Sequence, residues 1–272
     1  MHDNSKPPAP AVDALTQRLR ATMLKDRSRF RRHLIILLAL VALTAGGVVW
    51  WIYRQTSLPP LTVVAFDNLC VPSEEFTVNA CVEAIEGEPM PGYLGGLEIV
   101  FTDLAGSAPV KARTQGPGQA TAQMKWNAFA DQAPFLVRLP GNRRMSTSED
   151  RARIVFLARG EKIILVDVHD LPADATIDFA TSDLNQIAVD SLRAGKLQML
   201  RKRGHQIVYL ALKGERALDY RVARRWIESR QQLLPSGPVL GRPTYHEHQT
   251  EDDARRQIIS ELSSRYEIVS QE

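Results

Sequence analysis

Hydrophobic and polar positions alternate in three regimes along the chain. Residues 34–53, LIILLALVALTAGGVVWWIY, hold no charge between His33 and Arg54. At 1.5 Å per residue, about 20 such residues cover a hydrocarbon core of roughly 30 Å, so the run predicts one transmembrane helix with Trp50, Trp51 and Tyr53 as an interfacial aromatic belt. A buried core helix rarely runs uncharged for so long. A cleaved signal peptide would carry everything before Leu34 as its n-region, and no small-residue cleavage site precedes Trp50 and Trp51. An uncleaved anchor is the expectation. After the Pro59-Pro60 break come short alternating runs at residues 61–66, 76–84, 97–101, 120–126, 135–139 and 152–157, bounded by Gly, Pro, Asn and Asp. Such spacing predicts an antiparallel β-sandwich over residues 61–160.

From Glu161 the period changes. The fully apolar run 163–166 precedes a helical pattern (Leu184, Ile187, Ala188, Leu192, Leu197, Leu200) and a strand at 205–212. A helix at about 216–231, the apolar Pro238-Val239-Leu240 and a last helix at about 251–266 follow. Buried strands alternating with helices imply βαβ units on a parallel sheet, with right-handed crossovers, over residues 161–272. Nothing after Gly241 reads as a further strand ending in Asp. The expected class is a membrane-anchored α+β protein: a basic tail at 1–33, the span at 34–53, a linker at 54–60, the sandwich and then the α/β module.

Charge orients this arrangement. Arg18, Arg20, Lys25, Arg27, Arg29, Arg31 and Arg32 precede the apolar run and only Arg54 lies close behind it, so the positive-inside rule puts the N-terminus in the cytoplasm of a single-pass inner or cytoplasmic membrane and the C-terminal part outside it. Residues 1–12 read as a disordered tail. Residues 12–32, with Leu15, Leu19 and Met23 among the basic side chains, suit a membrane-surface helix or equally a solvated one. The net charge of +3 comes from residues 1–33, which carry eight Lys and Arg against three Asp; 26 basic against 28 acidic residues remain beyond them. That balance excludes nucleic acid as the expected partner, leaving the bilayer and an extracytoplasmic protein or envelope component.

The only cysteines are Cys70 and Cys81. Without neighbouring histidines they make no zinc site; in an oxidising compartment they are disulfide candidates, or else two buried thiols in neighbouring strands. Tyr245-His246-Glu247-His248 offers two histidines that could join His169 at a metal, but residues two apart face opposite ways on a strand, and no metal is expected. The chain has no G-x-S-x-G, Walker loop, H-E-x-x-H or G-x-G-x-x-G motif.

Two stretches carry family resemblances. Leu97-Glu98-Ile99-Val100-Phe101-Thr102-Asp103, Gly106, Thr114 and Gly118-Gln119-Ala120-Thr121-Ala122 resemble bacterial immunoglobulin-like domains, where a strand ending in F-x-D, a turn glycine and a later G-x-A strand recur. This resemblance implies fold and no chemistry. In α/β sheets ligands bind at the carboxyl ends of strands, which directs attention to Asp167-Val168-His169-Asp170-Leu171. Together with Gly204-His205-Gln206-Ile207-Val208-Tyr209-Leu210 and Leu234-Pro235-Ser236-Gly237-Pro238-Val239-Leu240, that segment resembles the haloacid dehalogenase superfamily, and within it the phosphatase domain of lipins and phosphatidylinositol-transfer proteins, over residues 162–243. The lipin family also pairs that domain with an immunoglobulin-like fold.

The resemblance implies a D-x-D-x-T loop, in which one carboxylate attacks phosphorus, a second moves the proton and Mg²⁺ neutralises the phosphate oxygens. Asp167 falls on the nucleophile. His169 replaces the acid/base aspartate, Leu171 the threonine and Ala211 the phosphate-binding hydroxyl of the next strand. Glu251-Asp252-Asp253 reads as a helix start rather than the late acidic pair that would hold Mg²⁺. The site is therefore expected to be vestigial. The expected function is a non-catalytic extracytoplasmic binding or scaffold protein with a pseudo-phosphatase module and no cofactor. Its rivals are an active Mg²⁺-dependent phosphatase using Asp167 on phosphate esters or lipid phosphates near the membrane, and a structural spacer in an envelope complex.

Overall fold

The computed structural model describes residues 16–18, 31, 33–51, 60–86, 93–104, 108–124, 131–141, 145–242 and 250–269. The chain divides into two compact units, Met1–Ser57 and Leu58–Glu272. In the first, helix α1 (His33–Trp51) has the length and apolar composition to cross a membrane, and all its side chains are exposed. Thr16–Arg18 and Arg31 are helical; the rest of the expected tail helix, Tyr53, and the histidines 246 and 248 lie outside the described residues.

The second unit is α+β, with mixed antiparallel and parallel strands. Strands β1 (Leu61–Ala65), β3 (Phe76–Ala84) and β6 (Gln119–Met124) form one sheet in the order 1-3-6. Strands β2 (Asn68–Cys70), β4 (Glu98–Asp103), β5 (Val110–Arg113), β7 (Gln132–Leu139) and β8 (Ser148–Phe156) form the second in the order 2-8-7-4-5. Strict alternation explains the packing: in β6 and β7 every second residue is buried, and those residues join Val63, Val78, Ile99, Phe101 and Ile154 in a core between the two sheets. Gly118 turns the chain into β6 at φ +99°, and a Cβ there would collide with the Val82 carbonyl oxygen.

The expectation of a purely antiparallel sandwich needs one correction. The strand β2, not separately legible in sequence, pairs parallel with β8. The chain changes sheets at the corner Phe66-Asp67, so the segment entering β2 runs alongside the last strand instead of returning against it. The disulfide expectation also fails: Cys70 and Cys81 are buried free thiols on strands of different sheets, Cys70 in the core between the sheets and Cys81 against the α/β module. Burial pushes the Cys70 thiol up to about 12 and raises that of Cys81 as well.

The α/β module is built on β9 (Lys162–Asp167), β10 (Gln206–Ala211), β11 (Val239–Gly241) and β12 (Glu267–Ile268), all parallel, in the order 11-10-9-12. A short strand, β12, does follow Gly241, but it ends at Ile268 and not on an aspartate. Helices α2 (Ser191–Lys202) and α3 (Ala217–Ser229) cover one face of the sheet and α4 (Glu251–Ser263) the other. Right-handed crossovers require this division, because the strand order reverses direction only at β12. Alternate residues of the central strands then serve opposite layers: Ile164, Val166, Ile207 and Tyr209 face α2 and α3, whereas Ile163, Val208 and Leu210 face α4. The Leu234–Leu240 string folds as a tight entry to β11. Tyr209 Oη donates to Pro235 O at 2.7 Å, and Gly237 passes so close to the Ile207 carbonyl that no Cβ would fit.

Neither layer of the α/β core is complete without the sandwich. Val64 and Cys81 pack into the α3 layer, and Leu69, Val71 and Leu157 into the α4 layer. Helix α3 therefore lies on the β1–β3 face, and the α/β layers are completed by side chains of the sandwich strands.

Candidate functional site

Asp167 ends β9 at the carboxyl edge of the sheet, level with Leu210 of β10, whereas β12 pairs only with Lys162 and Ile163 at the other end of the strand. The carboxyl edge is where α/β proteins form their ligand crevices. The Asp167 carboxylate is largely buried, and three groups converge on it. Oδ1 accepts the backbone N–H of His169 at 2.9 Å and faces His169 Nδ1 at 3.3 Å. Oδ2 accepts the Arg255 Nη2 donor at 2.5 Å. Burial alone would raise the Asp167 pKa. The hydrogen bonds from the His169 side chain and backbone, with the positive charges of His169 and Arg255, outweigh it and hold the carboxyl below its ordinary value.

Each element contributes for a local reason. Asp167 caps the 3-10 turn Val168–Asp170, so its Oδ1 is committed to the turn that follows the strand. Arg255 sits early in α4, whose N-terminal end reaches the carboxyl edge of the sheet as the antiparallel return of a βαβ unit must. Thr250 caps that helix by accepting from Asp253 N, and Glu251, Asp252 and Asp253 fill its first turn, where acidic groups suit the dipole. The acidic run is a helix start, with Arg256 paired to Asp253. His169 stacks edge-on against Phe179, which does the same against Trp226, at 5.1 Å each.

The remaining motif positions are apolar and enclosed: Leu171 and Ala211 are buried in the α2–α3 layer. A hard divalent cation needs several oxygen ligands at close range. Asp167 instead faces a guanidinium, and among the described residues no cluster of three or more His, Cys, Asp or Glu could hold a metal ion. The donor set does not fit Mg²⁺.

Sequence reasoning missed Arg255 and a second polar cluster that joins the two halves. Arg224 on α3, 2% exposed, donates to both oxygens of Asp150 on β8 at 2.9 and 3.0 Å, while Asp150 Oδ2 accepts the Ala65 amide at 2.9 Å. Asp67, at the β1–β2 corner, accepts from Arg153 N at 3.0 Å, Arg153 Nε at 3.3 Å and Val239 N at 3.0 Å. Its own amide donates to Tyr220 Oη, which donates to Val239 O. Glu83 on β3 accepts the Ala217 and Leu218 amides at 2.7 and 3.1 Å. The only sequence signal was charged residues within the predicted runs, Glu83, Arg153 and Arg224, with Asp67 and Asp150 just outside them. A cleft of about 210 Å³ opens beside this joint, lined among others by Asp67, Asn68, Leu240, Arg242, Glu261 and Arg265.

No protein-family model matches the chain, and no curated protein matches it in sequence. Among solved structures, an engineered protein with a 1.98 Å crystal structure is similar at 12% identity and a TM-score of 0.26, over 36% of this chain and 20% of its own. The chain thus spans a fifth of that protein's length, and a likeness of this degree carries no argument about fold or activity.

Proposed function

We propose that this is a membrane-anchored, non-catalytic binding or scaffold protein, in which an immunoglobulin-like sandwich and a degenerate haloacid dehalogenase-like module act as one rigid extracytoplasmic body. The observation that carries the reading is the closure of Asp167: one oxygen is bound by His169 and the other by Arg255. A carboxylate so paired is a poor nucleophile, and a positive guanidinium stands where a phosphatase would need a cation free to bind phosphate. Removing an electrostatic stabiliser of a transition state costs on the order of 100-fold or more, and here the hydroxyl positions are Leu171 and Ala211. The strand orders support both family readings. The 1-3-6 sheet facing a sheet that contains 8-7-4 has the A-B-E against G-F-C arrangement of an immunoglobulin sandwich, and four parallel strands in the order 11-10-9-12 with helices on both faces suit a doubly wound module. The apolar α1 with basic residues before it supports the anchor and an N-terminus on the cytoplasmic side.

The purified full chain in detergent should show no Mg²⁺-dependent hydrolysis of p-nitrophenyl phosphate or phosphatidic acid above background. Turnover that disappears in Asp167→Asn, with the melting temperature unchanged, would overturn the pseudoenzyme reading.

A further inference from the structure

We infer that the outward face of α2 docks on an anionic bilayer surface. Leu192 is 84% exposed and Met199 56% exposed, although α2 has a buried face of its own, with Ala194 and Leu197 in the core. Seven residues apart, Leu192 and Met199 project from one side of the helix, and at 100° per residue Lys196 and Arg203 fall between or beside them, with Arg193 and Lys202 on the flanks. Leu233, 53% exposed, lies beside the flank of α2, where Gln198 Nε2 donates to its carbonyl.

The charge pattern selects the occupant. From Ser191 to Gly214 the chain carries Arg193, Lys196, Arg201, Lys202, Arg203 and Lys213 and not one acidic residue. The acidic side chains of this region, Asp174, Asp178, Asp183 and Asp190, all precede it, and each is committed to capping its own turn; Asp190 also lies 3.7 Å from Arg193. Of the basic residues, Lys196 and Arg203 lie on the Leu192–Met199 side with Arg193 and Lys202 on its flanks, while Arg201 falls on the core side and Lys213 beyond the helix. Within a part that is slightly acidic overall, those four make this face an attractor for negative charge. Leucine and methionine bracketed by lysine and arginine are what an interfacial helix presents: the apolar tips enter the acyl boundary and the basic heads meet phosphate. The inference rests on the anchor reading for proximity, because residues 52–60 are all that join α1 to β1.

The test uses the full chain reconstituted in vesicles of phosphatidylcholine alone or mixed with phosphatidylglycerol. Resistance to alkaline carbonate extraction reports the span by itself. A polarity-sensitive probe on Met199→Cys reports the helix, with a probe on Gln115→Cys, on the sandwich turn, as reference. Docking predicts a blue shift of the Met199 probe and loss of its emission to brominated lipid in the anionic vesicles only. Raised ionic strength, or Lys202→Glu with Arg203→Glu, should reverse both, and the Gln115 probe should not respond. Hydrogen exchange of the unlabelled chain gives an independent reading, in which amides 191–203 should exchange more slowly on anionic vesicles. Carbonate-resistant protein whose Met199 probe and 191–203 amides are alike in both lipids, or whose Gln115 probe responds equally, would overturn the docking while leaving the anchor intact. Extraction by carbonate would overturn the anchor.

Discussion

Single side chains decide how acid and charge affect this molecule. Asp150 and Arg224 form a buried pair in which removing one partner strands the other charge, a loss of about 3–5 kcal/mol. Asp150→Ala should therefore lower the urea midpoint of the full chain in detergent markedly, as read from tryptophan fluorescence, whereas Glu98→Ala, which breaks the exposed pair with Lys111, should shift it little. Asp167 has a folded pKa held below its ordinary 3.8, so its contribution is present above about pH 4 and is lost as pH falls through that range toward the lower folded value. At neutral pH Asp167→Asn should cost about 1–3 kcal/mol, with the charge-assisted bonds to His169 and Arg255 weakened. Melting curves between about pH 6 and pH 3 should show the gap between variant and parent closing on the acid side. Nothing in the local sequence marks Arg255 as the partner of Asp167: the two are 88 residues apart, and only the right-handed return through α4 brings them together.

At the scale of elements, legibility followed the strength of the periodic signal. Strand β3 coincides with its alternating run, and α3 with its helical pattern, because each hides a continuous apolar face. Strands β2 and β12 have three and two residues, too few to show a period, and β5 is half exposed on a sheet edge, with no buried position to betray it. The helix expected from Leu184 begins only at Ser191. Asp174, Asp178 and Asp183 each bind the amide two residues on, offering the backbone turns in place of a helix until Asp190 caps α2. Helix α3 shows a cap no local pattern could reveal. Its N-cap residue is Arg216, whose side chain has no acceptor, and Glu83 from β3 takes the Ala217 and Leu218 amides instead. Glu83→Ala should cost about 1–3 kcal/mol and speed hydrogen exchange at those two amides, with little change at the α4 cap.

For the whole molecule, the sandwich side chains that complete the α/β layers, with the charged groups that join them, mean that the sandwich and the α/β module should not melt separately. Far-ultraviolet circular dichroism, and the fluorescence of Trp226, buried on the inner face of α3, should give coincident transitions for the body as a unit. Residues 61–160 expressed alone should fail to fold, since Glu83 would lose both amides it caps, Asp150 its Arg224 and Asp67 its Val239 amide, and Val64 and Leu69 would lose their cover. The sequence showed both halves through their different periods. It concealed their union, because a buried charged residue on a strand reads as a solvent-facing position until its partner is known.

The corner at Asp67 also has a consequence in time. Its carboxylate is satisfied by the amide of Val239, 172 residues later, and the Ala65 carbonyl by Arg224, 159 residues later. At ribosomal rates of about 5–20 residues per second, the first strands emerge roughly 10–30 s before the groups that complete them exist. During that interval β1 and β2 are unfinished edges with buried-type side chains in the open. The nascent protein therefore depends on being held apart from its neighbours until its last quarter has been made.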